Sequence, residues 1–139
     1  MARSNLEVLE DYIHQVWDEG DPEAARAFIA PNYRRHISPM LEPLGPDAQV
    51  ERLKGIRAAF ADVTVSVESH VSEGDMIAFR STMRGTHTGS FLGLEPTAKQ
   101  FTVGLLDMIR IEDEQFVEHW GGPDVFDILR QLGVDWKLD

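Results

Sequence analysis

The chain has 139 residues, which suits one domain spanning 1–139 and leaves no room for a second. Its 24 acidic and 13 basic residues give a net charge of −11, and the basic residues are scattered, which argues against nucleic acid or an anionic membrane as a partner. The absence of cysteine excludes disulfides, thiolate nucleophiles and cysteine-ligated zinc.

No apolar run approaches the roughly 18 residues that a helix needs to cross a bilayer. The first residues include the acidic Glu7, Glu10 and Asp11, whereas a secretory signal starts with basic residues followed by an apolar stretch. We therefore expect a soluble, cytoplasmic protein.

Three helices are predicted in the first part of the chain. Ser4 opens a capping box, and apolar residues then repeat at helical spacing through Glu19. A short second helix is predicted over 22–30, with a proline at its first position. Residues 31–46 contain four prolines and are predicted as an ordered loop or a short extended piece, and a third helix follows over 46–61.

After residue 62 the apolar residues alternate with polar ones, which is typical of strands with one buried face. Four antiparallel strands are predicted over 63–71, 76–87, 100–111 and 115–121. The third of these is nearly all apolar in its middle, which predicts a central strand covered on both faces. Gly122 and Pro123 open a last helix, for which Gly133 is a plausible C-terminal cap.

This order of elements predicts the α+β class: three N-terminal helices and one C-terminal helix pack on a curved antiparallel sheet. The five histidines lack the spacing of a metal site, and no phosphate-binding glycine pattern or serine-hydrolase elbow occurs. We therefore predict no metal and no cofactor. The chemistry that remains is acid/base catalysis by histidine and aspartate.

Two histidines are candidates for such chemistry. His87 has the parity of the buried face of its strand, so it is either bonded by the loop beside it or a polar group at the mouth of an apolar cavity. His36 follows Tyr33 in the predicted loop, and it is either a surface residue or part of a site. The residues alone leave both alternatives open.

Two aspartates are candidates as well. Asp107 has the parity of the buried residues in the third strand, so it is a buried base, is paired with an arginine, or lies on a covered outer face. Asp124 lies in the first turn of the last helix, close to Trp120. One interpretation is that its negative charge interacts favourably with the dipole of the helix. The other is that it exchanges protons with a substrate, because the helix start lowers the pKa of the carboxyl group while an apolar pocket raises it.

Two motifs add a family resemblance. Residues 84–97 (RGTHTGSFLGLEPT) resemble the GTHxGxFxGxxPTG signature of the SnoaL-like polyketide cyclases and predicted ester cyclases. Residues 117–120 (VEHW) with Asp124, followed by LRQLG at 129–133, resemble the closing pattern of the same family. With the helices before them, the match covers essentially the whole chain. Ala98 departs from the pattern, since the family usually has glycine there.

The resemblance implies a cone-shaped fold, shared with nuclear transport factor 2 and ketosteroid isomerase, and a homodimer packed through the outer sheet face. It implies a lyase-type or isomerase-type enzyme that closes a ring in a carbonyl-rich small molecule by aldol addition. Asp124 is the implied acid/base that takes a proton from a carbon between two carbonyls. His36 and His87 are the implied groups that polarise substrate oxygens.

On this interpretation the three catalytic residues converge on one apolar cavity. The substrate-binding residues that we expect around it are Trp17, Tyr33, Phe91, Met108, His119 and Trp120. An isomerase, a dehydratase or an epoxide hydrolase on the same fold remains an alternative, and so does a non-catalytic small-ligand binding domain.

Overall fold

The structure, a computed structural model, describes residues 2–135. In this part of the chain three α-helices pack against one five-stranded sheet of order β1-β5-β4-β3-β2. The helices are α1 (Asn5–Tyr12), α2 (Pro46–Ala59) and α3 (Val125–Gln131). The strands are β1 (Ile29–His36), β2 (Thr64–Glu73), β3 (Met76–Thr86), β4 (Gln100–Glu112) and β5 (Gln115–Pro123).

The N-terminal helix starts as predicted. The backbone N–H of Glu7 donates to the Ser4 hydroxyl over 3.1 Å, and the Glu7 carboxylate accepts from the Ser4 N–H over 3.1 Å. After α1 the helix widens into a π-helical segment, Ile13–Asp18, whose buried side chains face the sheet. A 3₁₀ helix, Pro22–Ala27, stands where the second helix is predicted.

The largest difference from the prediction lies between residues 28 and 36. Of the two alternatives for 31–46, the first third is extended, because β1 runs through Pro31 and pairs with β5 in parallel, and this strand was not among the four predicted ones. Proline has no N–H to donate to a neighbouring strand, so it is disfavoured inside a sheet. Because β1 is an edge strand with a neighbour on one side only, a proline is tolerated there. The sheet is therefore mixed and has five strands instead of four.

The four antiparallel strands are confirmed, with ends that differ from the prediction by a few residues at most. Along β4 the burial alternates strictly: Leu105 and Ile109 are buried, whereas Leu106 is 70% exposed and Met108 is 39% exposed. The expectation that both faces of this strand are covered is therefore wrong for the single chain. The helices cover only the concave face.

Aromatic side chains fill the two ends of the concave face. At one end the ring of Tyr12 lies between those of Phe28 and Phe116, with centroid distances of 5.7 and 4.9 Å. At the other end Phe60 packs against Phe101 at 4.7 Å. Burying such rings is the main stabilising contribution that side chains make to a fold of this kind. Between the two clusters the core is less complete, and the candidate site lies there.

Within residues 2–135, no helix combines the length and the apolar character that spanning a lipid bilayer requires.

Candidate active site

A cavity opens between the helices and the concave face of the sheet. It consists of an inner space of about 50 Å³ and an outer chamber of about 350 Å³, and the two share the lining residues Arg52, Ile56, Met83 and Pro123. The inner space is mostly apolar, and Trp17 from the π-helical segment forms part of its wall. Its polar lining residues are Arg35, Gln49, Arg52, Ser81, Asp107 and His119.

Asp107 and His119 form a buried pair on the sheet wall of the inner space. They project from the neighbouring strands β4 and β5, and their exposed fractions are 5% and 8%. The Nε2 atom of His119 lies 2.8 Å from Oδ1 of Asp107. Because a carboxylate can only accept, the imidazole carries its hydrogen on Nε2 and donates it to Asp107.

Arg35 completes the cluster from the edge strand β1. Its Nη1 donates to Nδ1 of His119 over 2.8 Å, and its Nη2 donates to the carbonyl oxygen of Gly121 over 2.6 Å. Nη2 also lies 4.0 Å from Asp107 Oδ1. Nη1 also lies 3.1 Å from Nε2 of His119, so the tautomer is assigned by the Nε2–H bond to Asp107, which leaves Nδ1 as the acceptor for Arg35. The Tyr33 hydroxyl lies 3.4 Å from that nitrogen.

Burial sets the protonation states of this cluster. It lowers the pKa of His119 from the ordinary 6.5 to about 4, and the Arg35 cation adds to this effect while the Asp107 hydrogen bond opposes it. Burial, followed by repulsion from Arg35, lowers the pKa of Arg52 to about 10. Near neutral pH the imidazole is therefore uncharged and Arg52 is still a cation.

The inner space is electropositive although the whole chain carries a charge of −11. Among the described residues that line it, the charged side chains are the two cations Arg35 and Arg52 and the one anion Asp107. One excess positive charge in a buried space stabilises an anion that forms there, because water does not screen the interaction.

Two glycines allow Arg35 to reach its position. Gly121 has a φ of +96°, and a Cβ at this residue would collide with the carbonyl oxygen of Leu106. At Gly122, where φ is +143°, a Cβ would lie 2.9 Å from Nη2 of Arg35. The GG pair after the EHW motif thus lets the end of β5 approach β4 and leaves room for the guanidinium.

The outer chamber lies between α2, the loop 87–99 that joins β3 to β4, and the start of α3, and Phe91 of this loop lines it. The loop is held on the end of α2, because the N–H groups of Thr88 and Gly89 both donate to the carbonyl oxygen of Ala59 over 3.0 Å. A side chain at Gly89 would collide with the carbonyl oxygen of Ala58. This glycine of the GTHxG motif therefore has a packing role.

His87 is fully buried at the start of this loop. Its Nδ1 accepts the backbone N–H of Thr97 over 3.1 Å, so the ring hydrogen is on Nε2. Nε2 has no hydrogen-bond partner among the described residues, and the imidazole lies 5.8 Å from the ring of Phe60, which lines the outer chamber. His87 itself does not line either space, and its predicted role towards the substrate stays a prediction.

His36 lies on the opposite face of the sheet. Because β1 is a strand, Arg35 points inward and His36 outward, where its Nε2 lies 2.9 Å from the Glu118 carboxylate. Its ring stacks on Trp120 with a centroid distance of 5.1 Å, and Met108 is the register partner of Trp120 on β4. The structure thus places His36, Met108 and Trp120 outside the cavity.

Asp124 lies at the rim of the outer chamber. Its neighbours Pro123 and Val125 line the chamber, whereas Asp124 is exposed and is the N-cap of α3, accepting the N–H of Asp127 over 3.2 Å. This is the helix-stabilising role that the sequence left open. The expected convergence of Asp124 with His36 and His87 on one cavity is not present in the structure. Their catalytic roles remain untested predictions.

The model of the SnoaL-like polyketide cyclase family matches residues 7–132. The chain belongs to this family. It is 30% identical to the nogalonic acid methyl ester cyclase of Streptomyces nogalater over 96 residues, which cover 68% of this chain and 72% of that one. It is 28% identical to the aklanonic acid methyl ester cyclase DnrD of Streptomyces peucetius, and that alignment covers 66% of this chain and 64% of DnrD, just under two thirds.

Among solved structures, IdmH from Streptomyces antibioticus superposes with a TM-score of 0.81 and 31% identity, covering 95% of this chain and all of that one. The expected family, the α+β fold and the cyclase type of enzyme are thereby confirmed for this SnoaL-like chain.

Of the substrate-binding residues expected in this SnoaL-like cyclase, Trp17 and His119 line the inner space and Phe91 lines the outer chamber. Tyr33 reaches the cluster through its contact with His119. Within residues 2–135, no three histidine, aspartate or glutamate side chains are grouped as the ligands of a metal ion would be.

Sequence reasoning missed Arg35 as a site residue. Its segment was predicted as a loop or a short extended piece and not as a strand of the sheet, so the inward parity of Tyr33 and Arg35 was not considered. Gln49 and Arg52 were also missed, although both share the helical face of Leu53 and Ile56, and this spacing of three to four residues was available from the sequence.

Proposed function

We propose that this SnoaL-like cyclase closes a ring in a carbonyl-rich small molecule by intramolecular aldol addition, with Asp107 as the acid/base. The observation that carries the proposal is the buried Asp107–His119–Arg35 cluster on the wall of an electropositive cavity. The proposal differs from the role that the family resemblance implies for Asp124, and the experiments below separate the two.

In the proposed reaction Asp107 removes a proton from a carbon between two carbonyl groups. The cations Arg35 and Arg52 stabilise the negative charge of the enolate. The enolate carbon then attacks a second carbonyl carbon of the same molecule, forming one carbon–carbon bond. The proton held by Asp107 is transferred to the resulting alkoxide, so that the enzyme returns to its starting state.

Asp107 suits the role of base better than His119 does. Nδ1 is the one nitrogen of the neutral His119 ring that has a lone pair, and it lies 2.8 Å from the Arg35 guanidinium, which occupies it. Its Nε2–H donates to Asp107 and so fixes the direction of the carboxylate. We assign His119 and Arg35 to positioning, and Arg35 in addition to charge stabilisation.

The volumes of the two spaces suit a substrate with a small reacting end and a larger apolar body. The outer chamber of about 350 Å³ is at the lower end of the range for small-molecule sites, roughly 300–1,000 Å³. The inner space of about 50 Å³ accommodates only the reacting end of such a molecule. We propose that the apolar body of the substrate rests against Phe60 and Phe91. Its carbonyl end passes Arg52 towards Asp107.

The relatives suggest the first substrates to test, because their names give methyl esters of nogalonic and aklanonic acid. The test follows the loss of each ester by chromatography with the wild-type protein, Asp107→Asn, Asp124→Asn and the outer-face control Glu118→Gln. We expect Asp107→Asn to lower kcat at least about 100-fold, as for loss of a general base. Asp124→Asn and Glu118→Gln should stay within about threefold, because asparagine also caps helices well.

If Asp124→Asn abolishes turnover while Asp107→Asn retains it, the family-implied acid/base at Asp124 is correct and our assignment is wrong. A second candidate function is a non-catalytic small-ligand domain. The inner space of about 50 Å³, which holds only one end of such an ester, favours it. That function predicts binding of the esters without their conversion by any form of the protein.

We also propose that the protein is a cytoplasmic homodimer. The outer sheet face supports the dimer, because Leu106 and Val71 are 70% and 71% exposed there and Met108 is 39% exposed. Large apolar side chains grouped on a β-sheet face are typical of a protein–protein contact.

A further inference from the structure

Two buried polar atoms in the inner space lack a partner. Oε1 of Gln49 and Oγ of Ser81 have no hydrogen bond to any described residue, although the two residues are only 2% and 1% exposed. Buried polar groups are nearly always hydrogen-bonded, and leaving one unpaired is costly. Both residues line the same small space as Asp107, so a ligand there is within reach of both.

The two residues approach this space from different walls. Gln49 projects from α2, on the helix side. Ser81 projects from β3, two residues from Phe79, whose register partner on β4 is Asp107. A group held between Gln49 and Ser81 is therefore close to the carboxylate that we assign as the base.

The kinds of atom decide which group fits. The amide oxygen of Gln49 can only accept a hydrogen bond, whereas the Ser81 hydroxyl can donate or accept. A carbonyl oxygen would satisfy Ser81 and leave Gln49 unpaired. A hydroxyl group satisfies both, because it donates to Gln49 and accepts from Ser81.

We propose that Gln49 and Ser81 form a hydroxyl-recognition subsite, which selects carbonyl substrates that carry an alcohol, phenol or enol next to the reacting end. The proposal rests on the proposed function only in taking the inner space as the substrate site. A subsite built around a hydroxyl discriminates strongly against analogues without it, since binding the analogue leaves the protein groups unpaired.

The test compares two probes of nearly equal shape, 3′-hydroxyacetophenone and 3′-methylacetophenone, by NMR titration of the full-length protein. We expect the wild-type protein to bind the hydroxyl probe about tenfold more tightly, as for one to two well-placed neutral hydrogen bonds. Gln49→Met and Ser81→Ala should each reduce this preference to about threefold or less, and the double variant should remove it. Ser66→Ala, on the exposed face of β2, is the matched control and should keep it.

A purely structural role is separated by thermal unfolding of the same variants. Replacing an unpaired buried polar atom by an apolar one removes a desolvation cost, so Gln49→Met and Ser81→Ala should keep or raise the Tm. If the two atoms mainly support the fold, the Tm falls instead and the hydroxyl preference persists, which contradicts the subsite.

Equal affinity of the wild-type protein for the two probes, or binding of neither up to their solubility limits, overturns the subsite. The proposed function is judged separately through Asp107→Asn. If that variant loses turnover while the probes bind equally, the base assignment survives and the hydroxyl subsite does not. If the probe preference is found but Asp107→Asn keeps full turnover, the subsite survives and the base assignment does not.

Discussion

The buried imidazole of His119 should make the stability of the protein depend on pH. In the unfolded chain the residue titrates at its ordinary pKa of 6.5, and in the folded state burial lowers its pKa to about 4. Between these values the unfolded state binds more protons, so the free energy of unfolding falls as the pH is lowered through 6.5 and levels off below about 4. The full effect of this difference is about 3 kcal/mol, at about 1.36 kcal/mol per pKa unit.

The unfolding measurement should be made at a pH above the isoelectric point of about 4.8, where the protein has a net negative charge that keeps it in solution. From pH 7.5 to pH 5.5 the two pKa values predict a loss of about 1.3 kcal/mol from His119 alone. His119→Gln is a suitable comparison, because its amide can donate to Asp107 and accept from Arg35 as the neutral imidazole does, yet it does not titrate.

Urea unfolding of both proteins at the two pH values gives the difference directly, since the other titrating groups are common to both. We expect the wild-type protein to lose about 1.3 kcal/mol more than His119→Gln over this window. Equal losses would show that His119 is not held neutral by burial, and the tautomer and charge assignments of the cluster would then be wrong.

Three further changes test other parts of the structure. Ala98→Gly should raise the free energy of unfolding, measured in urea, by about 0.5–1 kcal/mol, because Ala98 has a φ of +60° that favours glycine. The control Ala61→Gly should not raise it, because the φ of Ala61 is not positive. Asp124→Ala should cost about 1 kcal/mol of stability through loss of the α3 cap, and Asp124→Asn only a few tenths; equal costs would contradict the cap. Leu106→Lys should convert a dimer to a monomer in light scattering, whereas the surface control Ala61→Lys should not; a monomeric wild-type protein would refute the dimer.

Patterns that depend on one element could be predicted from the sequence. The capping box at Ser4, the alternation along β3 and β4 and the glycine after α3 each reflect local backbone chemistry, and all are found in the structure. At Ala98, where the family usually has glycine, the structure has a φ of +60°, which the sequence alone did not predict. The edge strand β1 could not be predicted in this way, because Pro31 and its neighbours lack the alternation of apolar and polar residues that is typical of a strand. The extended conformation of β1 depends on its pairing with β5, which is distant in sequence.

The site itself depends on contacts between distant residues. The inward parity of Asp107 was readable, but its partner at Nε2 of His119 and the cation behind it come from two other strands. The segment around Asp124 carries the glycines and the helix cap that the end of β5 and the start of α3 use. His119 of the same motif lines the inner space, whereas Arg35, Gln49 and Arg52 line it without belonging to either motif.

The most direct test of the central claim, that Asp107 removes a proton from carbon, does not require the natural substrate. NMR in D₂O follows exchange of the α-hydrogens of 1-tetralone, an aromatic ketone whose spontaneous exchange is slow. We expect the wild-type protein and Asp124→Asn to accelerate the exchange to a similar extent, and Asp107→Asn not to accelerate it. Exchange that survives in Asp107→Asn, or that Asp124→Asn fails to accelerate while the wild-type protein does, would contradict the claim.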